Sequence, residues 1–105
     1  MEVTNADIKA NLETSGLPVA YKDFPEEEAP QLPYICYRFP YNNNFAADGQ
    51  VYFAANHVQI ELYTKHKDPE TEEKVETALS SFFWEKTENY IDSERCYQII
   101  YELEV

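Results

Sequence analysis

The chain reads as an α+β domain, a largely antiparallel sheet of four to five strands with two helices packed on one face, in the order α-β-β-β-α-β-β. Three observations lead there. Val58, Ile60 and Leu62 alternate with His57, Gln59, Glu61 and Tyr63, the period of a strand covered on one side only. The pattern then turns helical: Asp68 is a natural N-cap, Pro69 suits the first helical position, Glu70, Glu72 and Glu73 sit at the positive end of the dipole, and Val75, Leu79, Phe82 and Phe83 form one apolar stripe. Strand-like segments come in runs, with helical ones held apart from them, which suits one sheet layer covered by helices. A chain of 105 residues is one domain, 1–105, large enough to bury about two thirds of its unfolded surface.

Thr4-Asn5-Ala6-Asp7 can open the first helix, with Thr4 as N-cap and Asp7 three residues on as its capping-box partner. Ile8 and Leu12 face inward, and Gly16 stands where the helix would stop. Leu17 to Lys22 follows as a short strand with Val19 and Tyr21 inward, and Pro18 at its start suits an edge. Phe24 to Pro33 holds three prolines and three consecutive glutamates, the composition of an extended, solvated loop. Tyr34 to Phe39 is the second strand, with Ile35, Tyr37 and Phe39 on one face, and Pro40 ends it.

Tyr41, Asn42, Asn43, Asn44 and Phe45 open the most unusual stretch, which runs on to Asp48-Gly49, a tight-turn pair. It reads either as a long hairpin loop whose aromatics fold back on the sheet or as a protruding arm that docks on a neighbouring subunit. Val51 and Phe53 are out of phase with Val58, Ile60 and Leu62, which predicts a bulge or break near Ala55-Asn56. After the second helix, Trp84 to Ile91 is a weaker strand and Asp92-Ser93-Glu94 a turn. Arg95 to Val105, alternating throughout, is the strongest strand and needs a central place in the sheet.

Charge narrows the function. Eight basic residues against 20 acidic ones give a formal net charge of −12, so a phosphate backbone would be repelled. Acidity can still serve nucleic acid by lining a conduit through which DNA slides or by imitating DNA's charge. Cys36 and Cys96 read as buried, reduced thiols, although neighbouring strands could bring them together in a disulfide. The start of the chain has no basic segment followed by an apolar one, and no apolar run approaches the roughly 18 residues of a membrane span, so neither secretion nor membrane insertion is expected.

Catalytic signatures are missing. A P-loop, a nucleophile elbow or a dinucleotide fingerprint would need glycines beyond Gly16 and Gly49. His57 and His66 lack cysteine or carboxylate neighbours at metal-ligand spacing, and His57 is placed on an outward strand face. No cofactor, metal or small-molecule substrate is expected. Nine tyrosines and six phenylalanines exceed what a core of this size needs, which favours protein contacts over catalysis.

Leu17-Pro-Val-Ala-Tyr, Phe24-Pro-Glu with Leu32-Pro-Tyr-Ile, Asn44-Phe-Ala-Ala-Asp-Gly, Ile60-Glu-Leu-Tyr-Thr with Lys67-Asp-Pro-Glu, and the closing Tyr101-Glu-Leu-Glu-Val together resemble a family of small prophage proteins. These come from the head–tail and tail modules of siphophages infecting Gram-positive bacteria. The resemblance runs from about residue 10 to the end and carries no catalytic motif. It implies a tail-completion or head–tail joining role similar to that of tail terminators, small α+β proteins that assemble as a ring, usually hexameric, on the tail tube. The implied partners are other copies of the chain and tail-tube and neck proteins, with DNA only as passing cargo; the implied location is the bacterial cytoplasm during assembly and then the virion. Two alternatives stand beside it: an acidic inhibitor or DNA mimic, motivated by the charge, and a small enzyme using carboxylates.

Overall fold

The capping box at the start of the chain forms as its residues require. The Thr4 hydroxyl accepts from the Asp7 backbone N–H, and the Asp7 carboxylate accepts from the Thr4 N–H at 2.8 Å. This starts α1, Asn5–Glu13. Gly16 then takes φ +83, the left-handed conformation that a glycine adopts at little steric cost. The computed structural model describes residues 4–40, 42–47 and 50–105; for 42–47, 50–56 and Glu26 it describes the backbone alone.

Six strands follow: β1 Val19–Tyr21, β2 Tyr34–Arg38, β3 Asn42–Ala47, β4 Gln50–Thr64, β5 Trp84–Ile91 and β6 Cys96–Glu104, with α2, Pro69–Ala78, between β4 and β5. The sheet order is β1-β2-β4-β6-β5, and β3 pairs with β4 outside that path. All pairings are antiparallel except β1 with β2. The two longest strands, β4 and β6, occupy the middle, so the strongly alternating C-terminal strand is not an edge.

The register puts Ile35 and Tyr37 of β2, Val58, Ile60 and Leu62 of β4, and Ile99, Tyr101 and Leu103 of β6 on one face. Ile8 and Leu12 of α1, Val75 of α2 and Leu79 at its C-cap complete a single buried cluster with them. Both helices therefore cover the same face, and the fold class is the one the sequence predicts. Two tyrosine hydroxyls fasten the helices to the sheet: Tyr37 donates to Asn5 Oδ1 of α1, and Tyr101 donates to Glu76 Oε2 of α2 at 2.8 Å.

Several details differ from the sequence reading. The stretch after Pro40 is not wholly loop, because Asn42–Ala47 forms β3 against the first half of β4. Its neighbour β4 is one uninterrupted strand, and the register shift lies at Phe45/Ala46, opposite Phe53 and Val51, instead of at Ala55-Asn56. Strand pairing on both sides of Ala55 holds the backbone extended, so the phase change is absorbed nearer the hairpin end. The helix stops at Ala78, so Phe83 falls outside the stripe and is 89% exposed, whereas Phe82 still packs on the core. Tyr21 is 43% exposed, since β1 is a three-residue edge strand with little sheet above it.

The loop between β1 and β2 has a task that its composition hides. Parallel strands need a connection of about a dozen residues to return to the starting end. Lys22 to Pro33 supplies it, with a 3-10 turn at Glu26–Glu28. It crosses the helix-free face, where Phe24 sets its ring against Tyr34 at 5.2 Å. Among the described residues, no helix is long and apolar enough to cross a membrane.

Candidate functional site

Of the five residues singled out as a subunit contact, Tyr41 lies outside the described residues. Asn42, Asn43, Asn44 and Phe45 belong to β3, where their backbones pair with Asn56, Ala55, Ala54 and Phe53. Their side chains are outside the description, and the placement of the hairpin is the informative feature. Residues 57–64 of β4 pair with β6 and residues 59–63 with β2, whereas, among the described residues, 50–56 pair only with β3. The fifteen-residue strand thus serves the sheet with one half and carries a two-stranded hairpin with the other. The molecule measures 49 × 26 × 24 Å, long in one direction only.

A second feature was not foreseen. Glu72, read as a carboxylate serving the helix dipole, is 3% exposed beneath α2. Its two oxygens take Lys67 Nζ at 2.7 Å and Lys86 Nζ at 2.6 Å. Lys86 also reaches Glu76 at 2.8 Å, and Lys67 also reaches Glu88. Burial alone would raise the Glu72 pKa, but the two ammonium groups outweigh it and hold it below the usual value. Hydrogen bonds to Glu72 and Glu88 raise Lys67; for Lys86, the same kind of bonds to Glu72 and Glu76 overcome the opposing effect of burial. Burial, then the nearby Glu76 carboxylate, pushes the Tyr101 hydroxyl up, so it remains a donor. The two ammonium groups offset two of the three carboxylates and tie α2 to β5, and the Tyr101 hydroxyl ties it to β6. The i, i+4 spacing of Glu72 and Glu76 on one helix face is the signal that could have found them.

The helix-free face carries its own buried polar group. Glu61 is 5% exposed; its Oε1 accepts from Gln98 Nε2 at 3.0 Å and lies 3.4 Å from an Arg38 guanidinium nitrogen. Gln98 also donates to the Tyr63 hydroxyl at 3.1 Å, which fixes that ring. Burial pushes Tyr63 up to about 12. His57, expected to face outward, is on this face but buried, with Nε2 3.4 Å from Glu102.

Cys36 and Cys96 are both free and buried. Cys36 is opposite Glu61, which is opposite Ile100, four residues from Cys96. Two strand spacings and four residues of rise put them well beyond the roughly 7 Å that a disulfide can span. Burial pushes the Cys36 thiol up to about 11 and raises Cys96 as well, which makes both poor nucleophiles.

Against this face, under the Lys22 to Pro33 crossover, lies a hollow of about 260 Å³ lined by Asp23, Phe24, Ala29, Tyr34, Cys36, Tyr63, Ile91 and Glu94. Among the described residues, no three His, Cys, Asp or Glu side chains converge as metal ligands. The arrangement offers surfaces for contact: a hairpin off the sheet and an aromatic hollow. No family model and no curated protein matches the chain.

Proposed function

We propose that this protein is a structural subunit of a phage tail, a tail terminator or head–tail connector component that assembles with its own copies into a ring capping the tail tube. The observation that carries the reading is the hairpin of β3 with residues 50–56 of β4, which among the described residues pairs with no other strand. A two-stranded ribbon is marginal alone in water and gains most from a second surface. In a ring that surface is the neighbouring subunit, met head to tail, a heterologous contact that closes by rotation. The charge of −12 suits a lumen that DNA must traverse without adhering. The place of work follows from the role: the bacterial cytoplasm during assembly, then the virion.

A DNA mimic is less well supported, because several carboxylates are spent inside the molecule. Glu72 and Glu76 are bound to lysines beneath α2, and Glu61 is buried beside Arg38. Mimicry needs acidic groups in rows on a free face.

The test is negative-stain microscopy of the purified protein, alone and with isolated tail tubes, beside a variant whose residues 42–55 are replaced by a short Asn-Gly turn. Rings and tube-end caps are expected for the intact protein and neither for the variant, which should keep the helical circular dichroism signal and a cooperative thermal unfolding transition. Absence of rings and caps with the intact protein, or their persistence in the variant, rejects the reading.

A further inference from the structure

We propose that the hollow beneath the β1–β2 crossover is a binding site for an arginine side chain presented by an extended basic segment of a partner protein. One wall is aromatic: Phe24 meets Tyr34 edge-on with ring centroids 5.2 Å apart, and Tyr34 meets Tyr63 at 5.3 Å and 42°. Gln98 holds the Tyr63 hydroxyl, so this wall is built before any ligand arrives. Two exposed carboxylates, Asp23 from the crossover and Glu94 from the β5–β6 turn, line the same hollow. Neither belongs to an ion pair among the described residues, whose pairs draw on Arg38, His57, Lys67 and Lys86.

Aromatic faces together with carboxylates recognise a cation. A planar guanidinium suits both parts at once, since it stacks on rings and donates to carboxylates in its own plane, whereas an ammonium is a compact, strongly hydrated point charge. The hollow, about 260 Å³, falls below the roughly 300–1,000 Å³ of small-molecule pockets. A second hollow of about 480 Å³ adjoins it, sharing Ala29, Tyr34 and Glu94, and gives the ligand's backbone a path along the crossover. Lys65 borders that second hollow and joins no ion pair among the described residues. The charge of −12 draws a basic segment to the surface. The site does not depend on ring assembly and would serve a monomer equally.

The test is a titration of the intact protein with the blocked peptide Gly-Arg-Gly, read by NMR on the ring protons of Phe24, Tyr34 and Tyr63. Gly-Lys-Gly and the citrulline peptide, a neutral isostere of arginine, are run in parallel. Saturable shifts are expected with arginine, weaker binding with lysine and none with citrulline, and arginine affinity should fall as salt rises. The double variant Asp23→Asn/Glu94→Gln, shown to be folded by its NMR spectrum, should lose at least about tenfold in affinity, the scale of one charge-assisted hydrogen bond. Absence of saturable shifts with arginine, equal binding of lysine or citrulline, or salt-independent affinity overturns the assignment. Undiminished binding by the folded double variant does the same.

Discussion

Replacing Glu72 by glutamine removes one negative charge from beneath α2 and almost nothing else, so it isolates the electrostatic part of the helix anchorage. Breaking a buried ion pair by deleting one partner costs about 3–5 kcal/mol when the other is left alone in the interior. Here the partners are not left alone. Lys67 and Lys86 side chains are 45% and 33% exposed, and each keeps a second carboxylate, Glu88 or Glu76. The expected loss is therefore about 2 kcal/mol at neutral pH, between the exposed-pair and buried-pair limits. Urea unfolding followed by circular dichroism measures it for both proteins. The sign of the pH dependence follows from Glu72. Its pKa is lowered in the folded state, so its contribution is present above the ordinary glutamate value of 4.5 and is lost as pH falls through the lower folded value. The gap between wild type and Glu72→Gln should accordingly narrow in acid. A gap below about 0.5 kcal/mol at neutral pH, or one unchanged down to about pH 2, would refute the reasoning.

Other expectations are simpler to check. Tyr101→Phe deletes a buried hydroxyl that donates to a carboxylate and should cost about 1.5–3 kcal/mol in the same assay; no loss would mean that the bond to Glu76 contributes nothing. Leu79→Ala, at a fully buried position, should cost about 2–5 kcal/mol, whereas Phe83→Ser, at an 89% exposed one, should stay within about 0.5 kcal/mol. Equal effects would place Phe83 in the core after all. With the Cys36 thiol near 11, only about one molecule in a thousand carries its thiolate at about pH 8, so Ellman's reagent should react slowly with native protein but readily, at both cysteines, once urea has removed the burial. Rapid native labelling would show that the helix-free face opens readily.

Local chemistry made much of the fold readable. Thr4 with Asp7 and Asp68 with Pro69 specify helix starts through groups within four residues of one another, and the alternation from His57 to Leu62 specifies which strand face is covered. What escaped depends on distant pairing. A tract with three consecutive asparagines looks like loop, and only its registration against Gln50 to Asn56 makes it β3. Glu72 looks like a dipole partner until Lys86, fourteen residues on, arrives across the β5 edge. The crossover from Lys22 to Pro33 reads as solvent-exposed because nothing local says that β1 and β2 run parallel. The left-handed backbones of Lys22 and Arg95, φ 68 and 53, were equally hidden, since such residues rarely adopt them. Of the interface residues proposed from sequence, Asn42 to Phe45 do lie on the hairpin off the sheet, which is a statement about their strand and not about their contacts.

Ring assembly is tested most directly by the solution mass of the intact protein, measured by light scattering on a sizing column across protein concentration and salt. Closed assembly predicts one discrete multiple of the monomer mass, six-fold if the ring is hexameric, populated increasingly with concentration or with tail tubes present. A single monomer mass under every condition, tail tubes included, would contradict it.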